Sequence, residues 1–230
     1  MKAQEKQPST WIAGLDVGQA QDPTALVIIE RFLQPVGEPK EKRFEAKYHL
    51  RHIERFELGA RFSTYEDRTL EVLKSEQMKG DQVLVVDHTG VGARVVESLD
   101  EKIAKTKAQL VAVNITAGTK VNYENSVYNV PKRDLVGVVT VFLGDGTLKI
   151  AESLELAPLL TKELQNFRVK YTAKGNDTYE AWREGDHDDL VLATALACWY
   201  GDRFMAESVE EPGEPNDQFE FIYPRRIVKQ

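Results

Sequence analysis

The chain has little with which to cross-link, anchor or export itself. Cys198 is the only cysteine in 230 residues, which excludes an internal disulfide and suits a reducing compartment. No apolar run approaches the ~20 residues that a membrane span needs. Residues 1–7 lack the apolar centre of a secretory signal, so no membrane partner is expected. Internal repeats are missing, and so are the spacings of a zinc finger or a helix-turn-helix. What remains is ordinary: 42% hydrophobic and 29% charged residues, enough for one large α/β domain with a buried core.

Basic excess is missing too. Acids outnumber bases 37 to 30, for a net charge of −7, which argues against a polyanionic partner. The distribution weakens that argument. Six acids (Glu207, Glu210, Glu211, Glu214, Asp217 and Glu220) fall between Arg203 and Arg225 with no intervening base. They supply six of the seven net negative charges and sit among prolines and glycine. The chain therefore divides into a flexible N-terminus at 1–10, a folded domain at 11–205 and an acidic tail at 206–230.

Hydrophobic patterning predicts strands at 11–16, 24–31 and about 43–56, joined as an antiparallel meander. A helix near 63–78 leads to a strand at 82–87, then a helix at 91–105 and a strand at 109–114. Helices follow at 131–143 and 153–166, with Pro131 in the first turn of the former. A hairpin spans 167–182, turning at Lys174-Gly175-Asn176, and a last helix runs from Asp188 to about Phe204. The fold class is α/β: a mixed sheet, antiparallel in its first three strands and parallel in the fourth and fifth, with helices on both faces and a β-hairpin insertion. That order matches the ribonuclease H-like architecture, in which the first and fourth strands are neighbours.

Three acidic positions stand out in that scheme. Asp16 closes the run Trp11-Ile12-Ala13-Gly14-Leu15, and Asp87 closes Val83-Leu84-Val85-Val86. Asp188-Asp189 heads the apolar stretch from Leu190 to Tyr200. Neighbouring parallel strands bring Asp16 and Asp87 to one sheet edge, where α/β sheets build their sites. Each acid has a plainer reading: Asp16 as a turn residue, Asp87 as part of a βα turn, one of the tandem acids as a helix cap. Capping does not account for two acids beside His187. Clustered carboxylates repel unless a cation neutralises them, and hard divalent ions favour oxygen ligands. The cluster therefore reads as a two-metal site that cleaves phosphodiesters, with ions such as Mg²⁺. Asp188 is favoured over Asp189 as ligand, and Asp22 and His187 are supporting neighbours. Asp87-His88-Thr89-Gly90-Val91-Gly92 supplies glycines for a tight strand-to-helix turn; no role is assigned to His88 or Thr89. Lys132, Arg133, Arg168, Lys170 and Lys174 are candidate phosphate contacts.

Together these motifs resemble the nuclease domain of the large terminase subunit of tailed bacteriophages. The matching pieces are Gly14-Leu15-Asp16-Val17-Gly18 with Asp22-Pro23-Thr24, then Val86-Asp87-His88-Thr89-Gly90-Val91-Gly92. Leu164-Gln165-Asn166-Phe167-Arg168 and Gly185-Asp186-His187-Asp188-Asp189 follow in the family's order, over residues 11–202. The resemblance implies a metal-dependent endonuclease of low sequence specificity that cuts concatemeric viral DNA during head filling, with Asp16, Asp87 and Asp188 or Asp189 binding two ions. It implies double-stranded DNA, a terminase ATPase domain, the portal and the small terminase as partners. The setting would be the cytoplasm of an infected bacterial host, with the isolated chain a monomer. It also places Lys132 and the 167–182 hairpin on the DNA path. One departure is the absence of a Gly-x-x-x-x-Gly-Lys-Ser/Thr loop, so this polypeptide is not expected to drive packaging itself. Two other readings compete: a terminase-derived module that binds without cutting, and an actin-like sugar-kinase domain, whose phosphate loops resemble Asp16-Val17-Gly18 and the Asp-x-x-Gly-x-Gly run.

Overall fold

Alternation along the first strand decides the placement of the site. In β1 (Thr10–Asp16), Ile12 joins one hydrophobic cluster while Ala13 and Leu15 join another on the reverse face. Asp16, even in register with Ile12, shares its face. β4 (Asp81–Asp87) repeats the pattern, with Val83 and Val85 on the Ile12 side and Leu84 and Val86 on the other. Asp87 thus faces the same way as Asp16. The computed structural model describes residues 9–18, 22–37, 43–171, 177–181 and 187–205. The N-terminus at 1–8, the hairpin tip with Lys174, and the tail at 206–230 lie outside the described residues.

β2 (Ala25–Val36) and β3 (Arg43–Arg55) complete the antiparallel meander. β1 pairs with β4 in parallel, and β4 with β5 (Ala108–Thr116). Helices α1 (Phe62–Leu73) and α2 (Gly92–Ile103) pack on the Leu15 face. The opposite face carries α3 (Lys132–Gly144), α4 (Ala157–Asn166) and α5 (Asp189–Phe204). β9 (Phe167–Tyr171) and β10 (Asp177–Ala181) form the expected hairpin.

Three strands were not anticipated. β6 (Asn122–Glu124) and β7 (Val127–Pro131) form a hairpin beside β5, and β8 (Leu148–Ile150) pairs in parallel with β3. The sheet then runs β6-β7-β5-β4-β1-β2-β3-β8. These strands hold three to five residues, too few to show a period, but the hairpin turn is legible afterwards. Asn125 and Ser126 take φ of 51° and 65°, the two left-handed positions of a tight hairpin turn. Pro131 closes β7 rather than entering α3, with ψ at 133°. Proline's fixed φ suits a strand end as well as a first helical turn. α1 stops at Leu73, five residues short of the expectation.

α5 is buried from Asp189 to Gly201, as its all-round apolar sequence requires. It lies directly against β1. A Cβ on Gly14 would stand 2.0 Å from the Ala193 carbonyl oxygen, so only glycine admits the helix at this distance.

Candidate active site

Register assembles the site. Leu15 pairs with Val86, so the next step along both strands brings Asp16 beside Asp87. On the other side Asp16 pairs with Ala25, and Ala25 with Arg55. One row across the sheet edge therefore reads Asp87, Asp16, Ala25, Arg55, beneath the N-terminus of α5. Asp16 is 6% exposed and Asp87 7%.

Burial dominates the electrostatics. It raises the Asp16 pKa well above 3.8, and Asp87, Asp188 and Asp189 push it further up while Lys132 pulls it down. Asp87 is raised chiefly by burial as well, against hydrogen bonds from Thr89 and Asp16. The Thr89 amide donates to Asp87 Oδ1 at 2.8 Å, fixing the carboxylate. That turn is itself fastened to β5. The His88 amide donates to the Val113 carbonyl at 2.7 Å, and the Ile115 amide donates to Thr89 Oγ1 at 3.0 Å. A Cβ on Gly92 would meet the Asp87 carbonyl oxygen at 2.0 Å, so α2 can start this close only with glycine there.

The tandem acids are treated differently. Lys132 Nζ donates to Asp188 Oδ2 at 2.7 Å, with both side chains a quarter exposed. Asp189 is 2% exposed, and the Arg55 guanidinium grips both of its oxygens, Nε to Oδ2 at 2.7 Å. Arg55 also bonds Glu163 Oε1, whose carboxyl is pushed up to about 7 by burial first and by Asp189 second. His187 and Asp22, expected as supporting neighbours, pair with each other: Nδ1 to Oδ1 is 3.4 Å.

Of the basic candidates, Lys132 points into the acid cluster. Arg133 is turned to the Thr119 carbonyl at 2.9 Å and to Asp134. The side chains of Arg168 and Lys170, and all of Lys174, lie outside the described residues.

Two residues at the site were missed in the sequence. Arg55 ends the third strand of the meander, so meander register places it in the row of Asp16. Glu163 shares the buried face of α4 with Ala157 and Leu160. An acid spaced at three residues from apolar positions signals a buried charge awaiting a partner.

The donor set suits a hard divalent cation, being entirely carboxylate oxygen. Burial raises the pKa of both Asp16 and Asp87, and acidic neighbours raise that of Asp16 further. Among the described residues no three such side chains are closed into metal-coordinating geometry; Lys132 and Arg55 occupy Asp188 and Asp189 instead.

No family model and no curated protein matches the chain. Solved structures do. The large terminase nuclease from thermophilic phage G20c is 22% identical, over 84% of this chain and 82% of that one, with a TM-score of 0.58. The same nuclease with bound magnesium gives 22%, 83%, 80% and 0.55. A human cytomegalovirus terminase nuclease domain, manganese-soaked and inhibitor-bound, is 12% identical over 89% and 88%, with a TM-score of 0.54. The chain thus has the fold of the terminase nuclease domains, and the mixed sheet expected from the sequence is the one they share.

Proposed function

We propose that this protein is a divalent-metal-dependent DNA endonuclease, a terminase nuclease that cuts concatemeric viral DNA in an infected bacterial cell with low sequence specificity. The observation that carries the reading is the convergence of Asp16, Asp87, Asp188 and Asp189 from two strands and a helix, with the first two buried. The magnesium and manganese associated with the solved nucleases of this fold support the choice of ion.

Asp16, Asp87 and Asp188 would hold the metal, for which we propose two ions of Mg²⁺ or Mn²⁺. Bound there, the ions supply activation of the attacking water and stabilisation of the leaving oxygen. The chain's own residues do the rest. Thr89 keeps the Asp87 carboxylate oriented through its amide. Lys132, which pairs with Asp188, would be the backbone-phosphate contact beside the metal ligands. Arg133, Arg168, Lys170 and Lys174 are the further phosphate contacts proposed, as cation contacts dominate affinity for DNA. Asp22 and His187, paired with each other, would be supporting neighbours of the metal ligands. An ATPase domain, the portal and the small terminase are the proposed partners in packaging.

The test is conversion of supercoiled plasmid to nicked and linear forms with Mn²⁺, Mg²⁺ or EDTA, alongside Asp87→Asn. Metal-dependent cutting that the variant loses is the expected result. A folded wild-type protein that binds metal but never cuts would reject the enzyme in favour of a binding module.

A further inference from the structure

Tandem acids at a helix start present a choice, because either can reach a metal and both carry the same charge. The structure makes the choice with two residues outside the acid cluster. Asp188 precedes α5 and pairs, among the described residues, with the flexible, single-point charge of Lys132. Asp189, one residue on, is nearly inaccessible and sits in the planar fork of Arg55. A guanidinium fixes a carboxylate bidentately and does not lose its proton, so this pairing is far harder to exchange than a lysine contact. Arg55 is in turn held by Glu163, which ties the end of β3, the face of α4 and the first turn of α5 to one cation. Glu163 is buried, where an acid is costly unless it is paired, and Arg55 is its cation.

We propose that Arg55 and Glu163 are positioning residues for the metal centre. Arg55 withdraws Asp189 from the ligand set, and Glu163 holds Arg55 so that α5 offers Asp188 alone to the ions. The inference rests on the metal-dependent nuclease reading and goes beyond it by assigning how the tandem acids divide their work. Each of the two acids at this helix start has its own cation, Lys132 on Asp188 and Arg55 on Asp189.

The experiment is calorimetric titration of Mn²⁺ into the folded full chain, with unfolding temperatures recorded for each variant. Asp188→Asn is expected to weaken Mn²⁺ binding at least about tenfold more than Asp189→Asn does, the scale on which ligand-sphere changes act. The decisive variant is Asp188→Asn combined with Arg55→Gln. Freed from its fork, Asp189 becomes a ligand, and the double variant regains at least about threefold of the Mn²⁺ affinity lost by Asp188→Asn alone. A purely structural role for Arg55 predicts further loss instead. Glu163→Gln, which keeps the shape but not the charge, should raise the Mn²⁺ concentration giving half-maximal cleavage more than it lowers the maximal rate. Equal weakening by the two aspartate variants overturns the proposal, as does a folded double variant that binds no better than Asp188→Asn. If the double variant does not fold, the aspartate comparison decides. Wild type that binds Mn²⁺ and cuts while the aspartates prove equivalent overturns this proposal only; wild type that neither binds nor cuts overturns the nuclease reading and this inference with it.

Discussion

Lys132 Nζ lies 2.7 Å from Asp188 Oδ2, and the same ammonium is the cation that lowers the pKa of Asp16. A charge placed to serve two of the acids stands where a metal ion's charge is wanted, so lysine and metal compete for Asp188. Lys132→Gln should therefore tighten Mn²⁺ binding. A part-buried pair of this kind contributes about 1 kcal/mol, which corresponds to roughly fivefold in affinity. The metal-free protein should lose stability by a similar amount. Calorimetric titration and thermal unfolding of the one variant measure both effects, and weaker Mn²⁺ binding would show that Lys132 supports the ion rather than opposing it.

Asp16→Asn should abolish cleavage and yet stabilise the metal-free protein. The Asp16 carboxyl is raised by burial and by its acidic neighbours, so the folded chain binds its proton more tightly than the unfolded chain does. Stability then falls as pH rises from the ordinary value of 3.8 through the raised folded value, and the loss is complete above it. Asparagine removes that loss. At neutral pH the variant should unfold about 2–4 °C higher, for roughly 1 kcal/mol in a chain of this size. The difference should narrow as the pH approaches 4 and shrink again when Mn²⁺ is added to both. A variant less stable than wild type at every pH would mean that the acid makes contacts worth more than its repulsion.

The acids were legible because strand ends and a helix start are marked by hydrophobic runs, and because alternation settles which face each acid takes. The meander, β4, α2 and α5 followed from the same patterns. Register was not legible, and register is what delivers Arg55: nothing in Glu54-Arg55-Phe56 distinguishes it from other exposed arginines until β3 is aligned through Ala25 to Asp16. The short strands β6 to β8 escaped for a related reason, since strands of three to five residues are recruited by a neighbouring edge rather than by their own pattern. The split between Asp188 and Asp189 also needed the third dimension, because sequence adjacency makes them look equivalent.

The His187–Asp22 pair offers a contrast with Arg55–Asp189. Its side chains are 34% and 66% exposed, so solvent screens whatever attraction it has. His187→Ala should change stability by no more than about 0.5 kcal/mol, under about 2 °C in the melting temperature. Arg55→Gln should cost several times as much, because it strands Asp189 and Glu163 as buried charges. Thermal unfolding of the two variants side by side tests the ranking. A His187 variant that melts as low as the Arg55 variant would give the rim pair a structural role that its exposure does not suggest.

Gly14 decides how close α5 can come to the sheet. An alanine there would put its methyl carbon 2.0 Å from the Ala193 carbonyl oxygen and 3.3 Å from the Ala197 amide nitrogen. Both are backbone atoms of a buried helix, so no side-chain rotation relieves the clash. The helix itself must move, and Asp188 and Asp189 move with it away from Asp16 and Asp87. Gly14→Ala should therefore lower the melting temperature by about 5–10 °C, for roughly 2–3 kcal/mol of overpacking. It should also depress cleavage measured at a temperature where the variant is fully folded. Gly137→Ala supplies the control. Gly137 lies within α3, and an added Cβ meets nothing within 4 Å, so alanine should stabilise by about 0.5–1 kcal/mol through helix propensity and the unfolded chain's lost freedom. If Gly14→Ala melts like wild type and still cuts, α5 has slack against β1, and the precise placement of the tandem acids cannot depend on this contact.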